Sequence, residues 1–339
     1  ALKHFFTRQE CTIFMIDDPR AETAEMAISS IASGIITLER EPTEFGAFRR
    51  RLQVVKMRGR QVREGFHDCR IERGGLVVFP RLVAAEHRTS YARESVPSGL
   101  APLDQLLGGG LARGTSTLFI GPAGTGKSSL ATQYARACVE RGQSAAVFLF
   151  DESIATFIER SAGLGLDVVP LMERGLLMVR QVDPAELSPG EFAHVVQRSV
   201  EAHGARLVII DSLNGYMQSM PSERLLILHL HELLNYLGLQ GVTTILLMAQ
   251  HGLLGASEVP VDTSYLADSV VLLRFYEAAG RVRTALSVMK KRTGQHERTI
   301  REMRLEQGAI TIGQPIVGFQ GVLTGTPQLV PAPPGGPAE

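Results

Sequence analysis

Residues 121–128 read Gly-Pro-Ala-Gly-Thr-Gly-Lys-Ser. The run fits the phosphate-binding loop pattern G-x-x-x-x-G-K-[ST] at every fixed position. Glycines at 121, 124 and 126 admit backbone conformations closed to other residues. The turned backbone then aims its N–H groups at one phosphate chain. Lys127 has the reach and charge for the β- and γ-phosphates, and the Ser128 hydroxyl can ligate Mg²⁺. The candidate nucleotide-binding residues are Gly121, Pro122, Ala123, Gly124, Thr125, Gly126, Lys127, Ser128 and Ser129.

Two apolar runs end in carboxylates. Residues 207–210, Leu-Val-Ile-Ile, lead into Asp211. A buried strand there sets Asp211 at its C-terminal end, where open α/β sheets bind ligands. With Ser128 it would hold Mg²⁺; the same aspartate also suits a turn cap. Residues 148–150, Phe-Leu-Phe, lead into Asp151 and Glu152. Hydrolysis of a nucleotide needs a carboxylate that orients and deprotonates water, so both are catalytic candidates beside Lys127. Both acids would equally favour the N-terminus of a following helix. Gln250 ends the run 242–248 and suits a γ-phosphate sensor or an ordinary polar strand end. Lys290 and Arg292 flank Lys291 and share one side of a strand. Cations so placed stabilise transition-state charge or protect a sheet edge.

These residues need a sheet to position them. Apolar segments 115–120, 144–150, 176–180, 207–210 and 242–248 predict strands. Residues 127–141 predict a helix. Ser188-Pro189-Gly190-Glu191 reads as a helix start with a capping box, and 223–237 carries leucines on one face. Segments 270–275, 282–290, 299–305 and 309–312 predict a change to antiparallel strands, with a hairpin turn at 278–280. The expected class is α/β, a mostly parallel sheet with antiparallel C-terminal strands.

Composition narrows the function classes. Lysine plus arginine and aspartate plus glutamate both number 35, giving zero formal charge. That balance argues against a constitutive nucleic-acid binder. Cys11, Cys69 and Cys138 make no C-x-x-C pair, which fits a reducing, cytoplasmic setting. His229 and His231 do not face each other on a helix. No run is long enough for a membrane span. The chain starts at Ala1 without methionine, as a fragment or processed product would.

The chain also resembles itself. Residues 29–38 echo 264–273, 52–58 echo 286–292, and 69–79 (CRIERGGLVVF) echo 303–313 (MRLEQGAITIG). Upstream, 11–17 parallels 243–249 as a sheet strand. Matching blocks in fixed order point to duplication. The first copy has no glycine loop before it. Residues 1–82 therefore read as the C-terminal part of one domain, 83–316 as a complete second domain, and 317–339 as a tail, Pro/Gly-rich and disordered at its end.

At this point the chain resembles the KaiC-type ATPases of the RecA superfamily. The resemblance rests on Ser98-Gly99-Leu100, Leu103-Asp104 and Gly108-Gly109-Gly110, the loop at 121–128, the acids at 151 and 152, Asp211, and 290–302 (KKRTGQHERTIRE). It implies a RecA-like fold and a hexameric ring with Mg-ATP between subunits. Lys290, Arg292, Thr293, His296 and Arg298 would then reach a neighbour's nucleotide. It also implies a regulatory ATPase with a regulatory protein partner, and self-phosphorylation at Ser264. Clock members carry a serine–threonine pair there; Tyr265 stands in place of the threonine, and Asp151 in place of the first of two glutamates. Two other functions fit the same core. One is a DNA-dependent RecA/RadA-type ATPase, which the charge balance opposes. The other is an ATP-gated assembly scaffold without turnover.

Overall fold

The computed structural model describes residues 11–17, 31–42, 46–218, 223–250, 265–323 and 328–329. The chain divides into two compact units, Ala1–Glu44 with Phe48–Arg81, and Phe45–Ala47 with Leu82–Glu339.

The smaller unit is an antiparallel meander of β1 (Gly34–Glu41), β2 (Arg49–Met57), β3 (Phe66–Glu72) and β4 (Gly75–Phe79), paired in that order. Period-two alternation separates its faces. One face carries the ion pairs Arg49–Asp68 and Arg51–Glu39, each 3.0 Å. The other carries Ile36, Leu38, Leu52, Val54, Cys69, Ile71, Leu76 and Val78, which lie opposite one another in register. The expected strand at 11–17 is absent: these residues form no strand and are exposed. A strand is held by ladder partners, and no strand of the meander pairs with this segment.

The larger unit opens with short paired strands β5 (Ser95–Val96) and β6 (Leu111–Ala112) around helix α1 (Ala101–Leu106). The main strands follow: β7 (Ser116–Gly121), β8 (Ser144–Leu149), β9 (Leu177–Gln181), β10 (Ala205–Asp211), β11 (Thr243–Ala249), β12 (Ser269–Ala278), β13 (Arg281–Lys291), β14 (Ile300–Glu306) and β15 (Ala309–Pro315). They form one sheet in the order β15-β14-β13-β12-β7-β11-β10-β8-β9. Pairings from β12 through β7, β11, β10 and β8 to β9 are parallel. Those from β12 to β15 are antiparallel. This is the mixed α/β sheet that the apolar runs predict. Beyond it, β16 (Phe319–Gln320) pairs with β17 (Gln328–Leu329).

Helices cover both faces of the parallel part, which is why its strands are apolar without alternation. The helices are α2 (Lys127–Glu140), α3 (Ile154–Gly163), α4 (Val169–Glu173), α5 (Pro189–Glu201), α6 (Leu213–Gln218) and α7 (Glu223–Leu239). Leu130, Tyr134 and Cys138 of α2 join one core cluster; Leu226, Leu230, Leu233 and Leu237 of α7 join the other. The Glu191 N–H donates to the Ser188 hydroxyl at 3.3 Å, capping α5. Ala279 and Gly280, with φ of 53° and 69°, close the β12–β13 hairpin. No helix among the described residues is long and apolar enough to cross a membrane.

The internal repeat is structural as well as sequential. Strands β12 to β15 pair in the same order as β1 to β4, and both copies shift register at the same place, Ile35/Ile36 and Val270/Val271. The apolar face of the meander corresponds to Val271, Leu273, Leu286, Val288, Met303, Leu305, Ile310 and Ile312. In the larger unit most of these are buried in the core that includes α1 and α2.

Candidate nucleotide site

Strand β7 delivers Gly121 to the C-terminal edge of the sheet, and the chain turns there into α2. Two glycines are required here, one by close approach of backbone and one by its positive φ. A Cβ at Gly121 would lie 2.1 Å from the Leu273 carbonyl oxygen. A Cβ at Gly126, which has φ of 92°, would lie 2.8 Å from Met303 and Leu305. The loop is thus pressed against β12 and β14. Lys127 is only 8% exposed. Its Nζ donates to the carbonyls of Gly121 at 2.8 Å and Pro122 at 2.7 Å. Burial pushes its pKa down to about 8, against the pull of Asp211.

Asp211 ends β10, on the same edge. Burial pushes its pKa up to about 6; a hydrogen bond from Ser128 opposes the rise, Glu152 adds to it, Arg160 opposes it and Asp151 adds to it. Hydroxyl and carboxylate oxygens are the donors a hard cation takes, and Mg²⁺ uses few protein ligands when phosphates and water fill the rest. The pair Ser128 and Asp211 fits that ion. The raised pKa has a stability consequence. Above pH 6 the folded protein carries a partly desolvated carboxylate that the unfolded chain, with a value near 3.8, ionises freely. Asp211 therefore destabilises the fold above that pH, by up to about 3 kcal/mol, and less as pH falls from 6 toward 4. Asp211→Asn should raise the melting temperature of the nucleotide-free protein at pH 7.5. The gain should shrink at pH 5, as read by calorimetry; an equal gain at both would contradict this origin.

Asp151 and Glu152 follow β8, which runs beside β10; the Phe150 N–H donates to the Asp211 carbonyl at 2.7 Å. Asp151 accepts a hydrogen bond from the Ser212 hydroxyl. Glu152 is held by Arg160 of α3, with Nη2 to Oε1 at 2.7 Å and Nε to Oε2 at 3.3 Å. Gln250 follows β11, and its N–H donates to the Gly121 carbonyl at 3.1 Å. Its Oε1 is buried without a partner among the described residues. Asn214 clamps the end of β11, accepting from the Ala249 N–H at 2.7 Å and donating to the Ala249 carbonyl at 3.1 Å. Sequence reasoning missed Arg160, Ser212 and Asn214. Only Ser212 and Asn214 carried a signal, as polar residues directly after the Asp211 strand.

The basic group lies elsewhere. Strand β12 runs parallel to β7, with Ser269 beside Thr117 and Leu272 beside Ile120. Strand β13 returns antiparallel, so its last residue, Lys291, sits opposite Ser269. Lys290 and the following Arg292 are therefore at the edge of the sheet opposite to the glycine loop. Lys290 donates to the Ala267 carbonyl at 2.7 Å. Arg292 donates to the Tyr265 carbonyl at 2.7 Å and pairs with Asp268 at 3.3 Å. Lys291 turns the other way, to the carbonyls of Leu107 and Gly110, so Lys290 and Arg292 share a side, as their alternation predicts. Thr293 and Arg298 are exposed and His296 is half-buried. One chain thus brings together 121–129, 151, 152, 211 and 250, and sets 290–298 apart. Ser264 lies outside the described residues.

The family model for the KaiC ATPase matches residues 1–83 and 96–316. The chain is similar to the circadian clock protein KaiC3 of Synechocystis sp., with 29% identity over 283 residues, 82% of this chain and 55% of that protein. It is similar to the circadian clock oscillator protein KaiC of Picosynechococcus sp., with 23% identity over 333 residues, 97% of this chain and 63% of the relative. For the KaiC of Acaryochloris marina the values are 25% over 316 residues, 92% and 60%. The chain spans 55% to 63% of the length of these relatives. With its RecA-like mixed sheet, its glycine loop and a family match over most of its length, the chain belongs to the KaiC ATPase family.

Proposed function

We propose that this protein binds Mg-ATP at the C-terminal edge of β7, β8, β10 and β11 and hydrolyses it. The observation that carries the reading is the convergence there of a buried loop lysine, the Ser128–Asp211 oxygen pair and the Glu152 carboxylate. The backbone of 121–129 cradles the phosphates, and Lys127 neutralises the β- and γ-oxygens. Ser128 and Asp211 hold the magnesium ion, which supplies charge neutralisation on the phosphates. Glu152 orients a water and takes its proton as the water oxygen bonds to the γ-phosphorus and the bond to ADP breaks. Asp151, tied to Ser212, supports that arrangement, and Gln250 accepts a hydrogen bond near the γ-phosphate.

The site is shared between subunits in this proposal. Lys290, Arg292, Thr293, His296 and Arg298 serve a neighbouring chain's nucleotide, because their own chain holds them at the opposite sheet edge. Residues 1–82 correspond to the C-terminal strands of a related domain, and 83–316 carry the nucleotide site. A ring of six, a regulatory role with a protein partner, self-phosphorylation at Ser264 and a cytoplasmic setting belong to the same proposal, carried by the family resemblance. Mixing tests the shared site. Arg292→Ala should keep ATP binding and lower turnover by about 100-fold or more. Glu152→Ala should also be inactive. Mixed oligomers of the two should regain turnover, because some interfaces then pair an intact Glu152 with an intact Arg292. No regain in verified mixed oligomers would contradict sharing.

A further inference from the structure

The Arg160 guanidinium spans both oxygens of Glu152, at 2.7 Å and 3.3 Å. This fork geometry fixes direction as well as distance. Arg160 is itself anchored by its helix. It stands on the last turn of α3, whose start is capped by the Ser153 hydroxyl accepting from the Thr156 N–H at 3.1 Å. One turn earlier, Phe157 is buried in the core, and the guanidinium sits 5.4 Å from its ring centroid. Ser161, next in the chain, is fully buried and donates to the Phe157 carbonyl at 2.6 Å. The carboxylate is therefore oriented by a helix that reaches into the core and not by its own flexible stem.

The surroundings make that grip necessary. Three carboxylates, Asp151, Glu152 and Asp211, are gathered at adjacent strand ends, and both Asp151 and Glu152 act against the charge of Asp211. Lys127 is committed to the loop carbonyls. Ser212 engages Asp151. Unheld, Glu152 would swing away from its like-charged neighbours. Arg160 is the cation that keeps it among them.

We infer that Arg160 is a positioning residue for hydrolysis, holding the Glu152 carboxylate toward the water it activates while making no contribution to nucleotide affinity. The inference rests on the ATPase reading above. A carboxylate displaced by about 1 Å loses on the order of 100-fold in rate, so Arg160→Ala should lower kcat by 10- to 100-fold. The ATP dissociation constant should stay within about twofold. Arg160→Lys keeps charge without the fork and should recover part of the rate; added guanidinium ion should recover part of it in Arg160→Ala.

The decisive test is a double-mutant cycle on the full-length protein, with thermal melts to confirm folding. In a Glu152→Gln background, Arg160→Ala should cost little further in kcat, because the carboxylate it positions is gone. A purely structural role would lower kcat again in that background, and that result overturns the inference. An Arg160→Ala protein as fast as wild type, or faster, overturns it as well. If Arg160→Ala fails to fold, Arg160→Lys carries the same cycle. Absence of turnover in the wild type would defeat the ATPase reading itself, a distinct outcome.

Discussion

Lys127→Ala should weaken ATP binding by about 100-fold or more while leaving the protein folded. The lysine ammonium is almost wholly withdrawn from water and held by two carbonyls of its own loop. Burial has already brought its pKa to about 8, so the group is short of charged partners. Triphosphate oxygens supply them. A charge-assisted hydrogen bond contributes about 1.5–3 kcal/mol, and the lysine has more than one donor for the β- and γ-oxygens. Loss of both contacts accounts for the factor. Wild-type affinity should also decline as pH rises through 8, where the lysine loses its proton, and this decline should be missing in Lys127→Ala. Titration calorimetry at pH 7 and pH 9 reads both effects. Equal affinity in the two proteins would remove the loop from the site.

Glu152→Gln should do the opposite, binding ATP as wild type does and turning it over 100- to 10,000-fold more slowly. Glutamine keeps the size of glutamate and cannot accept the water proton. The substitution also breaks the charged fork with Arg160, whose Nη1 is already buried without a partner among the described residues. A small loss of thermal stability should accompany the catalytic loss. Asp151→Asn should affect rate less, because Asp151 is engaged by Ser212 and takes no part in that fork. Comparable losses in the two variants would move the base assignment away from Glu152.

Much of the site was legible in the sequence because its constraints are local. A run of glycines with lysine and serine at fixed offsets has few structural meanings, and the flanking apolar strand and amphipathic helix narrow them further. Asp211 and Gln250 were legible for a related reason: an apolar run that stops at a polar residue marks a strand end, and parallel strands share one edge. The positions of Asp151 and Glu152 just past the end of β8 followed from the same rule. Arg160 was not legible. Its link to Glu152 depends on how α3 rolls onto the sheet through Phe157, and no spacing rule encodes that. The basic strand was half legible. Alternation placed Lys290 and Arg292 on one side, but only the pairing of β12 with β7 sets them at the far edge.

The fold shows the same division. The repeat announced two related sets of antiparallel strands, and the register shifts of the two sets fall at equivalent positions. The apolar segment 11–17, with Ile13, Phe14 and Ile16 exposed, reads as a strand by composition. Composition cannot supply ladder partners, and among the described residues no strand pairs with it.

The identity of the nucleotide held after incubation with Mg-ATP tests the central claim most directly. Wild-type protein and Glu152→Gln are each incubated, separated from free nucleotide, denatured and assayed by chromatography. ADP is expected from the wild type and intact ATP from Glu152→Gln. Intact ATP from both would mean binding without hydrolysis, and no nucleotide from either would mean that the edge of β7, β8, β10 and β11 is not an ATP site.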